Sequence, residues 1–214
     1  DNPSKLGALD PSMVEQLGNQ WRLIRGDPAV RAVVLTGTGR GFSTGLDVTA
    51  AAAGRGAPAE QHAEDEALPS FGLSPHEHDV WLPYIVAVNG MCAGGGFHLL
   101  TEADIVIAAE EARFCDPHVS IGQVAALEPI SLARRIPLET VLRMVVLGRH
   151  AQLTAHDALR DVSDREGRHI VHASIVLADS GVSQSAYLRC ARRKARLSGY
   201  LRESARAPTL PAAN

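Results

Sequence analysis

Two apolar runs in this chain each stop abruptly at glycines, and that pattern constrains the fold more than any other. The first is AVVLTGTGRGFSTGLDV, residues 32–48, and the second is IVAVNGMCAGGGFHLL, residues 85–100. Each reads as a β-strand followed by a turn beyond which a helix can begin. A strand-to-helix junction leaves backbone N–H groups unpaired at the helix start. Two such junctions facing each other can hold one oxygen between two N–H donors, an arrangement that stabilises an oxyanion.

The rest of the chain suits an α/β protein. It has 214 residues, 45% apolar but only 4% aromatic, so small side chains must pack closely around one core. Asp10-Pro11 starts a helix whose Met13, Val14, Leu17, Trp21 and Ile24 share a face, and Gly26-Asp27-Pro28 ends it. Residues 31–36 read as a buried strand and 46–53 as helix-permissive. Residues 54–78 read as a long mobile loop or lid, with His62, His76 and His78 as solvated histidines rather than a metal cluster. Trp81 to Asn89 leads into a second strand, 104–109 reads as another and 112–115 as a short one, and about 124–135 and 138–147 read as helical, with Pro129 and Pro137 as boundaries or kinks. Thr154 and Asp157 form a capping-box pattern.

Charge and cysteine usage exclude several classes. A net charge of -3 gives no general case for binding nucleic acid or membranes. No apolar run approaches the ~20 residues of a spanning helix. The first residues, DNPSKLGALD, lack a signal-peptide pattern. Cys92, Cys115 and Cys190 have no paired spacing, so free thiols in a reducing cytoplasm are expected, with neither a disulfide framework nor a zinc site.

Three blocks resemble the crotonase superfamily, which includes the enoyl-CoA hydratases and isomerases. They are VLTGTGRGFSTGLDV, AVNGMCAGGGFHLL and ADIVIAAEEARFCDPHVSIG (residues 103–122), in the family's order and spacing over roughly residues 5–160. The resemblance implies a spiral of ββα units, with N- and C-terminal parts incomplete or altered here. It implies an acyl-CoA thioester as substrate, coenzyme A being part of that substrate and no other cofactor being needed. It also implies assembly as a homotrimer or a hexamer. The oxyanion N–H groups would belong to Leu46 and Gly95. Coenzyme A would pass near Lys5 and the Thr44–Asp47 turn, so Lys5, Thr44, Gly45, Asp47 and Gly94 are the expected substrate-binding positions.

One departure from the family pattern concerns the proton-transfer groups. The family's hydratases carry one glutamate two residues after the glycine triplet and another after a proline in the third block. Those positions hold His98 and His118. An imidazole titrates near working pH, so the pair could hold one water, one ring as base and the other as orienter or acid. Two nearby histidines would resist double protonation, keeping one of them basic. The alternative, less favoured because the two positions match, is that each is a core or helix-end histidine bonded to backbone. Glu128, in ALEPI, could orient a histidine, serve as the acid, or be an exposed helix-start residue, and Asp116 is expected to support the turn before Pro117. Histidines here also fit the superfamily's carbon–carbon bond hydrolases, which cleave β-diketones. A non-catalytic acyl-CoA-binding or subunit-interaction protein is the third reading.

The second departure is at the ends. Strand residues that the family carries before Asn2-Pro3 are missing, and the resemblance fades after about Ala158. The domain reading is therefore a core over 1–160 and a divergent tail over 161–214, helical in part or partly disordered, for which a frame change or a fragment is expected. Arg189–Arg196 reads as a solvated helix face, and His169 and His172 lack a complementary ligand motif.

Overall fold

Pairs of short apolar strands, each pair split between two sheets, organise the chain. The computed structural model describes residues 2–47, 71–166 and 175–178. The strands are β1 (Val33–Thr36), β2 (Gly41–Ser43), β3 (Tyr84–Val88), β4 (Met91–Ala93), β5 (Ile105–Ala109), β6 (Arg113–Cys115), β7 (Leu153–Thr154) and β8 (Ile175–Ala178). One sheet has the order β1-β3-β5-β8 with every pair parallel. The other has the order β2-β4-β6-β7, parallel except for the β6–β7 pair. The chain thus steps from the first sheet to the second three times, at β1–β2, β3–β4 and β5–β6. This is the α/β spiral architecture expected from the sequence.

Burial follows from position in the sheets. All five residues of β3 are buried, because parallel neighbours lie on both sides and side chains pack on both faces. β1 is only half-buried along its length, where a buried strand was expected. It lies at the edge of the described sheet with β3 as its one partner, so half its environment is open. Asn89 ties the first two strand pairs together. Its side-chain oxygen accepts from the Gly37 N–H at 3.0 Å, and its amide donates to the carbonyls of Gly39 and Gly41.

Five α-helices lie among the described residues: α1 (Pro11–Gly26), α2 (Gly96–Thr101), α3 (Leu127–Leu132), α4 (Leu138–Leu147) and α5 (Ala155–Glu166). Asp10 caps α1 by accepting from the Met13 N–H at 2.9 Å. Trp21 of α1 is 1% exposed, stacks edge-on against Tyr84 at 5.8 Å and donates its indole N–H to the Leu73 carbonyl. The Tyr84 hydroxyl in turn donates to the Leu99 carbonyl of α2 at 2.9 Å. Arg135 holds the far end of α2, donating to the carbonyls of Thr101 and Ala103 at 2.6 and 2.5 Å. α2 is therefore fixed at several points, and it carries His98.

The stretch 71–78 is packed rather than loop-like. Leu73 is 1% exposed, and the Glu77 carboxylate clamps the turn by accepting from the N–H groups of Phe71 and Ser74. A 3₁₀ turn spans His76–His78. His76 pairs with Glu102 at 2.8 Å and stacks on Trp81, while His78 Nε2 meets the Gly72 carbonyl at 3.0 Å. These contacts, invisible in local composition, correct the expectation of a mobile lid with solvated histidines for this part. Residues 48–70, with His62, lie outside the described residues.

Thr154 and Asp157 form the expected reciprocal cap. The Thr154 N–H donates to the Asp157 carboxylate at 3.1 Å, and the Asp157 N–H donates to the Thr154 hydroxyl at 3.0 Å. α5 then continues past residue 160 to Glu166, and β8 pairs with β5 from Val106↔Ile175 to Ala109↔Ala178. Cys190, His169, His172 and Arg189–Arg196 lie outside the described residues. Cys92 and Cys115 are buried free thiols. No helix among the described residues is long and apolar enough to cross a membrane.

Candidate active site

The two glycine junctions meet. Gly45 has φ +83° and Gly94 φ +48°, backbone shapes that favour glycine. A Cβ placed on Gly45 would lie 2.7 Å from the Gly95 nitrogen, and one placed on Gly95 would lie 3.5 Å from the Leu46 nitrogen. The two backbones can approach this closely only because side chains are missing. Leu9 bridges the Leu46 segment in parallel fashion, its N–H donating to the Gly45 carbonyl and its carbonyl accepting from the Asp47 N–H. That pairing uses the groups on either side of Leu46 and turns the Leu46 N–H the other way. Gly95 is the N-cap residue of α2, whose first turn is closed by the Phe97 N–H donating to the Gly94 carbonyl and the His98 N–H to the Gly95 carbonyl. Neither the Leu46 nor the Gly95 N–H has an acceptor among the described residues.

Both amides border a cavity of about 310 Å³ lined by Thr44, Gly45, Leu46, Gly94, Gly95, His98, His118 and Glu128. Apolar Phe71, Leu73, Pro117, Ile121, Ala126 and Leu127, with polar Gln123, complete its wall. Two of the expected substrate-binding residues lie outside this lining. Lys5 and Asp47 pair with each other at 2.5 Å, and the Thr44 hydroxyl donates to the Lys5 carbonyl, so the three form one cluster beside the Gly45–Leu46 turn.

His98 and His118 are brought together, but Glu128 stands between them. His98 Nε2 lies 3.1 Å from Glu128 Oε1, and His118 Nε2 lies 3.7 Å from the same oxygen. The side chains are 16%, 18% and 9% exposed for His98, His118 and Glu128, so all three are shielded yet reach the cavity. The expected water-holding gap between two imidazoles is thus occupied by a carboxylate. The reading of Glu128 as an exposed helix-start residue is likewise overturned: α3 turns it inward, and the residue is 7% exposed. Burial opposes its ionisation, but the hydrogen bond from His98, a backbone hydrogen bond and the nearby imidazoles outweigh burial, leaving its carboxyl below the usual range.

His118 is held from behind by Asp116. Asp116 Oδ1 accepts from the His118 backbone N–H at 3.0 Å and lies 2.5 Å from His118 Nδ1. That hydrogen bond raises the His118 pKa; burial opposes the rise, and the charges of Asp116 and Glu128 reinforce it. The expectation that repulsion between histidines keeps one of them basic therefore does not describe His118, because carboxylates flank its ring on two sides. Phe71 packs on His98 at 4.9 Å between ring centres. Sequence reasoning missed Phe71, which lay in the supposed lid. It also missed the contact of Asp116 with the ring, although an acid two residues before a histidine across a proline was a visible signal. No group of three or more histidine, cysteine, aspartate or glutamate side chains among the described residues is placed to hold a metal ion.

Comparison with known proteins gives a consistent answer. A family model described as Enoyl-CoA hydratase/isomerase matches residues 1–161. An (E)-benzylidenesuccinyl-CoA hydratase of Thauera aromatica is 32% identical over 162 residues, covering 75% of this chain and 60% of that protein. A carnitinyl-CoA dehydratase of Proteus mirabilis is 33% identical over 162 residues, covering 75% and 59%. The crystal structure of an enoyl-CoA hydratase/isomerase from Mycobacterium paratuberculosis superposes with a TM-score of 0.71 at 31% identity, covering 92% of this chain and 68% of that one. The chain spans about three fifths of the length of those two curated relatives. With its strand–glycine junctions, its paired sheets and this match over residues 1–161, the chain belongs to the enoyl-CoA hydratase/isomerase family of the crotonase superfamily.

Proposed function

We propose that this chain carries the active site of an enoyl-CoA hydratase-like lyase that works on an acyl-CoA thioester through an enolate. The observation that carries the reading is one cavity lined by Leu46 and Gly95, whose amides have no acceptor among the described residues, and by His98, His118 and Glu128. The amides take the thioester oxygen. When water adds to the β-carbon of a 2-enoyl thioester, negative charge moves onto that oxygen, and donors already in place need no reorganisation. One such donor is typically worth about 3 kcal/mol in the transition state.

Glu128 supplies the carboxylate that the two histidine replacements removed. Held by His98, it takes the proton from water as the oxygen bonds to the β-carbon. His118 Nε2 delivers a proton to the α-carbon as the enolate collapses. Isomerisation uses the same enolate, with a proton removed from one carbon and returned to another. Apolar Phe71, Leu73, Ile121 and Leu127 fit an acyl chain. Coenzyme A passes by the Lys5–Asp47–Thr44 cluster, and no further cofactor enters.

The exposed Leu138, Leu142 and Val146 lie four residues apart on α4, and Val119, Ile121 and Val124 are also exposed. This apolar surface supports homotrimeric or hexameric assembly. The buried free thiols support a reducing cytoplasm.

The test is turnover of crotonyl-CoA and longer enoyl-CoAs by the purified chain. Hydration without chain cleavage is expected. Acyl-CoA binding with no turnover across the panel selects a non-catalytic binding protein instead. A second reading, hydrolytic cleavage of a β-diketone or β-keto thioester, is favoured by the carboxylate-flanked imidazoles, which could direct water at a carbonyl. Release of a carboxylic acid from such a substrate would select it.

A further inference from the structure

Asp116 is buried to 1% exposure, and it does not line the cavity. One of its oxygens is fully engaged. Oδ1 accepts from the backbone N–H of His118 at 3.0 Å and meets Nδ1 of the same residue at 2.5 Å. The other, Oδ2, is buried with no hydrogen-bond partner among the described residues. A buried carboxylate with an unpartnered oxygen is costly unless its charge is compensated nearby. The compensating group within reach is the His118 ring.

With Nδ1 turned to Asp116, the ring must carry its proton there, and Nε2 is left to face the cavity and Glu128 Oε1 at 3.7 Å. If Nε2 carried no proton, its lone pair would face the oxygen lone pairs of an ionised Glu128. A proton on Nε2 removes that conflict and makes the ring an imidazolium between two carboxylates. We propose that Asp116 is a positioning residue that fixes the orientation of the His118 ring and its Nδ1 proton, and holds it charged so that Nε2 serves as the proton donor. As regards the reaction, this rests on the hydratase reading given above. No bond to Asp116 is made or broken. The proton leaves Nε2 for the α-carbon, and the ring remains as the neutral Nδ1–H tautomer, that N–H hydrogen-bonded to Asp116, until Nε2 is reprotonated.

The electrostatic setting agrees. The charged groups acting on the ring are Asp116 from its own turn and Glu128 from α3, with His98 of α2 beyond Glu128. α4 and the 148–150 turn pack on the same segment, but their Glu139, Arg143, Arg149 and His150 are exposed.

Nitrogen NMR of the whole chain, labelled in its histidine rings, tests this, with His118→Gln identifying the resonance. In the unsubstituted protein, the neutral form of His118 is expected to carry its proton on Nδ1, and the ring to titrate above histidine's usual value of about 6.5. Asp116→Asn keeps an acceptor oxygen but removes the charge, and should lower the midpoint by about one pH unit or more. The alkaline limb of kcat on crotonyl-CoA should move down by the same amount. The variant then loses about tenfold at pH above the limb and little below it. A structural role alone would lower activity equally at every pH. A midpoint of 6.5 or less in the unsubstituted chain, or one that Asp116→Asn leaves in place, overturns the proposal. A raised midpoint that falls in Asp116→Asn, in a chain that turns over no enoyl-CoA, upholds the Asp116–His118 assignment and overturns the hydratase reading.

Discussion

The cavity has two walls built by different means. One is backbone: Gly45, Leu46, Gly94 and Gly95, which approach each other closely. The other is side chain: His98, Glu128 and His118, with Asp116 behind. A backbone donor is insensitive to which side chain its residue carries, but intolerant of any atom added where the chains approach. A side-chain wall can exchange residue types and keep working if charge and reach are restored elsewhere. In this chain His98 and His118 stand on that wall, and α3 brings the Glu128 carboxylate between them.

The sharpest way to break the contrast is Gly45→Ala. Its Cβ would lie 2.7 Å from the Gly95 nitrogen, at a backbone φ of +83°. Steady-state kinetics should show kcat/KM on crotonyl-CoA lower by about 10²- to 10³-fold, the typical cost of losing one oxyanion donor. Gly95→Ala is the milder partner, because its Cβ would meet Gly45 Cα at an ordinary 3.4 Å.

The side-chain wall is tested by Glu128→Gln, which keeps the shape and removes the base. A fall in kcat of about 10²-fold is expected, with KM little changed, because the group acts in proton transfer. If Glu128→Gln is as active as the unsubstituted chain, the Glu128 carboxylate is not the base.

How much of this was legible in the sequence divides along the same line. The glycine junctions were readable because a β-rich run ending in glycine is a local signal, while Leu46 and Gly95 were singled out only through the family resemblance. The capping box at Thr154 and the cap at Asp10 were readable for the same reason. The side-chain wall was read only in part. His98 and His118 stood out by position, but the gap between them is filled from residue 128, a tertiary contact that no local pattern encodes. Composition made 71–78 resemble a loop, because Leu73 is covered through a tertiary contact with Trp21 of α1 that no local pattern encodes. The half-burial of β1 depends on how many strands flank it, which periodicity does not report.

Both walls share α2, which begins after Gly95 and carries His98. Arg135→Ala removes the two hydrogen bonds that hold the far end of α2, and should weaken both walls together. A stability loss of about 2–3 kcal/mol is expected for these charged donors. Thermal unfolding should register it as a Tm lower by roughly 5–10 °C. Thr154→Ala is the smallest effect and the control. It removes a cap remote from both walls and should cost about 1 kcal/mol, with kcat/KM unchanged at a temperature where the variant is folded.

The claim on which the account turns is that the Leu46 and Gly95 amides converge on one thioester carbonyl. An isotope-edited infrared spectrum of a bound acyl-CoA, labelled at the thioester carbon, reads that carbonyl directly. The C=O stretch should move to lower frequency on binding to the unsubstituted chain and move back toward the free value in Gly45→Ala. A bound thioester whose stretch stays at its free value would contradict the account.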